Sequence, residues 1–516
     1  MGVREFTIRL FKSEDRSKTY KPLIDILPWW AVLVLFIIAT VLFGIAIIVG
    51  VFAGPVVLDS HYVEMDTRKN TTTSSRGSID FVPRTSSHLR YAQYTLDGDH
   101  DDLKPLFYGQ EQVLATAPTT FSAINQEINF LCYLKSNTST FSVESEKAFG
   151  FQKSNLQFFL QLFGKDEADG DWELIVNGTY SRPLVCTSTS ELCDPITLFY
   201  ESHIRHPYYR IGVSFLNSRE LYDNTLIDPH FVKMEFESYN AAYSNWELGW
   251  RYSIIFITAP LCIAFIIANI IRSHFVNWAT EQKWIGLLLI FLVLYNNPIF
   301  ALIFTAGNWA FSFINIVFII SFVCFLMFVV LVFTDSLVIP QKDRSFLWFY
   351  IPKIVLVGIL FVFVITTFTY VRLQEQEDPG YNLGIVQGLS SYQTLGIIVV
   401  LIMLVYIFVL IYYLMRVIEK HRMNLLPKRN AWRSKVIWFL TITMVIGTIV
   451  EIFLYVFSKD WNSSAQFLSY FMFYSLYVWL ITILYWPSFT AVQQEEFDEE
   501  NNTQAKEDDY FDEMDE

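Results

Sequence analysis

Few residues in this chain have the type and spacing that chemistry requires. His203 and His206 lie three apart and could place two imidazoles on one metal ion, but Pro207 interrupts the strand connection that carries them. Asp97, Asp99, Asp101 and Asp102 resemble half of a calcium loop. The glycine at its sixth position and the glutamate at its twelfth are missing, so the run reads as a solvated turn. The sequence holds no HExxH, GxSxG, Walker or CxxC pattern, the usual signatures of zinc hydrolysis, serine hydrolysis, nucleotide hydrolysis and dithiol exchange. No catalytic residue, no metal ligand and no cofactor is expected, and the chain reads as a non-enzyme.

The remaining candidates are polar residues inside apolar runs. Tyr295, Asn296 and Asn297 precede Pro298 in one such run, and Glu451 lies in another. An ionisable side chain at the centre of a bilayer costs about 2.5–3.5 kcal/mol on insertion scales, so it faces protein, water or a ligand. These four residues are therefore candidates for lining a ligand cavity. Hydrogen bonding between helices is the plainer role for the asparagines.

The runs that carry them are long. Hydrophobic residues make up 53% of the 516, aromatics 17% and charged residues 17%, against roughly a quarter charged in a soluble protein. A water-soluble globule is excluded. A helix needs roughly 20 apolar residues to cross a bilayer core, and such runs are predicted at 27–53, then at 252–271, 284–304, 309–333, 350–370, 395–415, 436–457 and 467–486. The first exceeds the core of a cleavable signal and follows a leader rich in Arg and Lys, so it reads as a retained anchor helix. Arg and Lys concentrate in alternate short loops, most densely from Arg416 to Lys435. Because cytoplasmic loops attract these residues, eight crossings with both termini in the cytoplasm are expected.

The interval between the first and second runs then lies in the lumen or outside the cell. Its sequons at Asn70, Asn137 and Asn177, with Asn462 in a short outer loop, are the glycosylation candidates. Runs at 127–135, 156–164, 172–177, 196–202, 209–216 and 231–238 are rich in Phe, Tyr, Val and Ile, several with alternating character, and predict an antiparallel β-sandwich. Residues 165–171 read as a hairpin turn in which Asp169 and Gly170 take a positive φ. Residues 66–90, rich in Thr, Ser and Arg, read as a flexible stalk. Three cysteines fall in this segment, and Cys186 with Cys193 is the favoured disulfide because a short loop closes it, leaving Cys132 reduced.

The domain plan is a cytoplasmic segment at 1–26, the anchor at 27–53, the luminal sandwich with its stalk at 54–250, a seven-helix bundle at 251–487 and an acidic tail at 488–516. Net charge is −14, which makes nucleic acid an unsuitable partner. From Glu495 onward twelve acidic residues stand against the one Lys506, a candidate handle for cytosolic coat or adaptor proteins, or simple solvation of a chain end.

Ordered along the second half, Tyr239-Asn240, Tyr243-Ser244, Trp250-Arg251-Tyr252, Glu281-Gln282-Lys283-Trp284 and Leu294-Tyr295-Asn296-Asn297-Pro298 resemble the Wntless-like membrane proteins. Phe349-Tyr350-Ile351-Pro352-Lys353, Asp378-Pro379, Ser464-Ala465-Gln466-Phe467-Leu468-Ser469 and Pro487-Ser488 continue the likeness. One position departs: Asn297 stands where the family pattern carries an acidic residue. The resemblance implies one anchor helix, a luminal β-sandwich of the GOLD or lipocalin-like kind, and a seven-helix bundle like that of a G-protein-coupled receptor. It also implies a Golgi, endosomal or plasma-membrane receptor that escorts a secreted or lipid-modified protein cargo, the acyl chain held in the bundle away from water, where each exposed CH₂ costs about 0.8 kcal/mol. A cell-surface signalling receptor coupled to G proteins is the alternative, although Asp-Arg-Tyr and Asn-Pro-x-x-Tyr are absent at the usual helix ends.

Overall fold

The computed structural model describes residues 20–55, 58–66, 80–83, 89–93, 113–117, 120–136, 151–187, 192–201, 204–216, 227–272, 274–275, 278–306, 309–339, 344–378, 380, 390–423, 428–457 and 464–491. Asn70, Asn137, Asn462, His203, the aspartates at 97–102 and the acidic tail beyond residue 491 lie outside the described residues.

A short strand, β1 (Tyr20–Pro22), leads into α1 (Trp29–Ala53), whose 25 residues carry no charge. Ala46, Gly50 and Gly54 are four apart and fall on one face of α1 or its end. Small residues at that spacing let backbones approach closely, which is how helices associate in lipid. The helix they meet is the last of the bundle: a Cβ at Gly50 would lie 2.5 Å from the Cα of Ala465.

The bundle runs through α2 (Ala241–Arg272), α3 (Thr280–Tyr295), α4 (Leu302–Thr305), α5 (Trp309–Ser336), α6 (Ile351–Glu377), α7 (Ser390–Arg422), α8 (Lys428–Phe457) and α9 (Ser464–Leu484). Among the described residues seven helices, α1, α2 and α5 to α9, are long and apolar enough to cross a membrane. The chain is an integral, multi-pass membrane protein. In place of the continuous span predicted at 284–304, α3 stops after 16 residues, about 24 Å at 1.5 Å per residue. Pro298 has no N–H to continue the helical ladder. Asn297 swings the backbone into the left-handed region at φ 53°, which Asn tolerates better than most side chains. The chain then resumes as the single turn of α4.

Between α1 and α2 the chain forms β2 (Leu58–Asp66), β3 (Asp80–Pro83), β4 (Leu89–Gln93), β5 (Val113–Thr116), β6 (Ile128–Ser136), β7 (Phe151–Lys165), β8 (Glu173–Thr187), β9 (Ile196–Glu201), β10 (Tyr208–Phe215) and β11 (Ile227–Tyr239). One sheet has the order β5-β10-β7-β8, the other β3-β4-β2-β11-β6-β9. Alternate residues of each point into a shared core: Phe158, Leu160 and Leu162 from β7, Ile211 and Val213 from β10, Phe130 and Leu134 from β6, Met234 and Phe236 from β11. The six predicted strands correspond to β6 through β11. β2 runs parallel to β4, an exception to the antiparallel pattern. β3 and the start of β4 fall inside the segment read as a stalk, so part of it is sheet edge.

The turn at 166–172 also differs from expectation. Neither Asp169 nor Gly170 has a positive φ. Seven residues give the chain room to reverse, and Gly170 N–H donates to the Glu167 carbonyl at 3.0 Å, so no left-handed residue is needed. Cys186 on β8 is bonded to Cys193. Cys132 on β6 is free and buried, and burial pushes its thiol up to about 12.

Candidate functional site

The sandwich stands on one end of the bundle through two polar contacts. Gln126, held at φ 58°, donates from Nε2 to Ser244 Oγ at 2.9 Å and Glu247 Oε2 at 3.2 Å. Arg182 of β8 pairs with Asp378 at the end of α6. Glu247 is one turn before Arg251 on α2, a spacing that puts both on one face, and Arg251 donates to Glu247 Oε1 from Nε at 2.9 Å and Nη2 at 2.7 Å. Arg251 is 3% exposed, and its guanidinium lies 4.2 Å from the Phe300 ring and 4.3 Å from that of Phe471, a cation–π cage that offsets its burial.

Beside this cage the helix break gathers Tyr295, Asn296 and Asn297. All three are fully buried. The Tyr295 ring packs 4.5 Å from Phe322 and 4.6 Å from Phe471. Asn296 Nδ2 donates to the Leu292 carbonyl at 2.9 Å, while its Oδ1 finds no hydrogen-bond partner among the described residues. Asn297 donates to Asn315 Oδ1 of α5 at 3.0 Å and accepts from the Ile299 N–H at 3.2 Å. The three residues thus stand at a packed joint between α3 and its neighbours. Glu451 lies on α8, and its side chain is outside the described residues.

The cavity lies elsewhere. A crevice of ≈ 360 Å³ opens between α1, α8 and α9, lined by Phe36, Ala39, Thr40 and Phe43, by Thr443, Met444 and Gly447, and by Phe473 and Tyr477 among others. Thr40 and Thr443 donate their hydroxyls to carbonyls of their own helices, Phe36 at 2.9 Å and Phe439 at 3.0 Å. Their polarity is spent internally. These residues sit near the middle of all three helices, so the crevice is at the depth of the hydrocarbon core. A Cβ at Gly447 would lie 2.2 Å from Phe473 Cζ, so the missing side chain is what admits that ring. Tight contacts close both ends: the Phe36 and Phe439 rings meet at 4.8 Å, and Gly50 abuts Ala465. None of Tyr295, Asn296 or Asn297 lines it. Gly447 inside an apolar run is the one local mark that it leaves in the sequence.

The opposite end of the bundle holds its charges in pairs. Lys353 donates to Asp335 Oδ2 at 2.7 Å, with Arg416 3.5 Å from the other oxygen. Arg433 pairs with Asp25, and β1 pairs with β12 (Pro487–Ala491). Among the described residues no group of three or more His, Cys, Asp or Glu is arranged to hold a metal. His206 makes a 2.8 Å contact with Asp166 instead.

Comparison with known proteins agrees with this architecture. The family model described as "Wntless-like, transmembrane domain" matches residues 240–489, an interval that begins one residue before α2 and ends within β12. Transmembrane protein 181 of Homo sapiens is 24% identical over 339 residues, which is 63% of this chain and 68% of that protein. α1 lies outside the matched interval, yet its packing on α9 makes it part of the same helical body. From residue 240 to residue 489 the helical half of the chain is thus a Wntless-like transmembrane domain.

Proposed function

We propose that this protein is a non-enzymatic receptor of the secretory pathway that binds and moves a secreted, lipid-modified protein cargo. The observation that carries the reading is the crevice between α1, α8 and α9. Its volume falls in the range of about 300–1,000 Å³ typical of small-ligand sites. Its lining is apolar, and its open side faces hydrocarbon, so the ligand chemistry that fits is an acyl chain. On this reading the sandwich is luminal and contacts the protein part of the cargo. Gln126 and Arg182 hold it on the bundle so that both parts of one ligand can be engaged together. With α3 continued through α4 as an eighth crossing, both termini are cytoplasmic, in keeping with the pairing of β1 and β12, and the acidic tail recruits coat or adaptor proteins in Golgi, endosomal or plasma membranes.

The test uses the full chain in cells fed a fatty acid carrying a diazirine and an alkyne, which labels secreted acylated proteins. After irradiation, crosslinks between a secreted protein and the receptor should map to peptides of α1, α8 and α9, and Ala39→Phe should abolish them by filling the crevice. Crosslinks spread evenly over every lipid-facing helix would defeat the proposal. Coupling to a G protein ranks second, because the Asp25–Arg433 and Lys353–Asp335 pairs tie together the helix ends that a G protein would have to part. Ligand-dependent nucleotide exchange on a purified G protein would reverse that order.

A further inference from the structure

The long strand β8 is an edge. Its neighbour on one side is β7, and no strand pairs with its other side among the described residues. An unpaired edge offers a row of N–H and C=O groups to any extended chain, and folded proteins guard against this. The direction of these groups can be read along β8. Asp194 N–H donates to the Val185 carbonyl at 2.8 Å, so Val185 points its backbone groups away from β7. Strand groups alternate, and β8 pairs without a bulge from Val176 to Thr187. Asn177, Thr179, Ser181 and Pro183 therefore face the open edge as well.

Three of these five positions are guarded. Val185 is occupied by Asp194, Pro183 has no N–H to offer, the usual place for proline in an edge strand, and the Ser181 carbonyl accepts from Arg182 Nη1 at 3.1 Å. The stretch from Asn177 to Thr179 is left, and it is the sequon Asn177-Gly178-Thr179 itself. Asn177, Thr179 and Ser181 are exposed, on the face opposite the core-facing Tyr180, Leu184 and Cys186. Asn177 lies beside Gln161 of β7, and Thr179 beside Phe159.

We propose that Asn177 carries an N-linked glycan and that this sugar guards the open stretch of the β8 edge. The proposal rests on the luminal placement of the sandwich given above. In forming the bond, Asn177 Nδ2 loses a proton and bonds to the anomeric carbon of an oligosaccharide delivered on a polyprenyl diphosphate. The bond from that carbon to the diphosphate oxygen breaks, and polyprenyl diphosphate leaves with the electron pair. The bulky, hydrated product stands over the backbone groups of residues 177–179, where an incoming strand would have to lie.

The full chain expressed in mammalian cells supplies the test, by partial digestion with an endoglycosidase that cuts N-glycans. Asn177→Gln and Thr179→Ala should each remove one step from the ladder of bands, and Thr179→Ser should keep it. The same two variants, and intact protein stripped of sugar after folding, should show more self-association on chemical crosslinking. An unchanged ladder in both variants, with steps still lost on removing Asn70 or Asn137, would overturn the glycan while leaving the luminal placement standing. A glycan on Asn501, whose sequon Asn501-Asn502-Thr503 lies in the acidic tail, with none between α1 and α2 would overturn the placement itself. Loss of the step without any gain in self-association would overturn the guarding role.

Discussion

Asp25 and Arg433 lie 408 residues apart in the chain and form a buried, two-pronged ion pair, Nε to Oδ1 and Nη2 to Oδ2. Around it, Trp432 Nε1 donates to the Ile24 carbonyl at 3.1 Å, and Leu23 N–H to the Trp486 carbonyl at 2.9 Å. Removing one partner of a buried pair strands the other, at about 3–5 kcal/mol. Asp25→Ala should lower the thermal midpoint of the detergent-solubilised protein accordingly, and Asp25→Ala with Arg433→Met should recover a large part. Equal midpoints for Asp25→Ala and the unaltered chain would show that the pair holds nothing.

Contact between α1 and α9 rests on the absence of side chains. Gly50→Leu must push Ala465 away, since even a Cβ would come within 2.5 Å of its Cα, and overpacking of this kind costs about 1–3 kcal/mol. Gly44, on the same helix, has nothing within 4 Å of its Cβ position. Gly44→Leu is the matched control and should leave the melting curve where it was.

At the break in α3, backbone geometry and side-chain chemistry can be separated. Asn297→Ala puts a residue with no polar side chain at φ 53°, where the left-handed conformation costs about 1–2 kcal/mol, and it also loses the Asn315 bond. Asn297→Gly loses that bond without the backbone cost. Thermal stability should therefore fall in the order Asn, Gly, Ala. Should Ala prove as stable as Gly, the left-handed backbone is not what sets the break.

A pH dependence follows from Glu237 on β11. Burial, with Glu235 and Glu127 adding repulsion against a hydrogen bond from Asn129, pushes its carboxyl from 4.5 up to about 7. Between those values the folded protein binds a proton that the unfolded chain does not, so stability rises as pH falls from about 7 toward 4.5 and is level above 7. Unfolding of the sandwich by denaturant at pH 7.5, 6 and 5 should show this rise, and Glu237→Gln should flatten it.

The sequence made some of this plain. β6 through β11 were legible because Phe, Tyr, Val and Ile form runs, several alternating, and one face enters the core. β2 was not, because Asp59, Glu64 and Asp66 break up its apolar content, and its place is fixed by pairing with β11. The anchor was visible as an isolated apolar run, and the spacing of Ala46, Gly50 and Gly54 marks a face fit for another helix, but nothing local named that partner as the last helix of the bundle. That placement depends on Gly50 meeting Ala465 and Asp25 meeting Arg433. The crevice escaped notice for the same reason, since a gap belongs to three helices together. Tyr295, Asn296 and Asn297 stood out as a group, yet polarity alone could not say whether they lined a space or filled one.

β2 leaves α1 and β11 enters α2, and the two are zipped together from Leu58 opposite Tyr239 to Asp66 opposite Phe231. The sandwich is consequently joined to the helices through two neighbouring, paired strands of its own six-stranded sheet rather than through two separate threads. A tilt of that head upon grasping a partner would tug the adjoining ends of both helices in concert, and one of those helices forms a wall of the crevice.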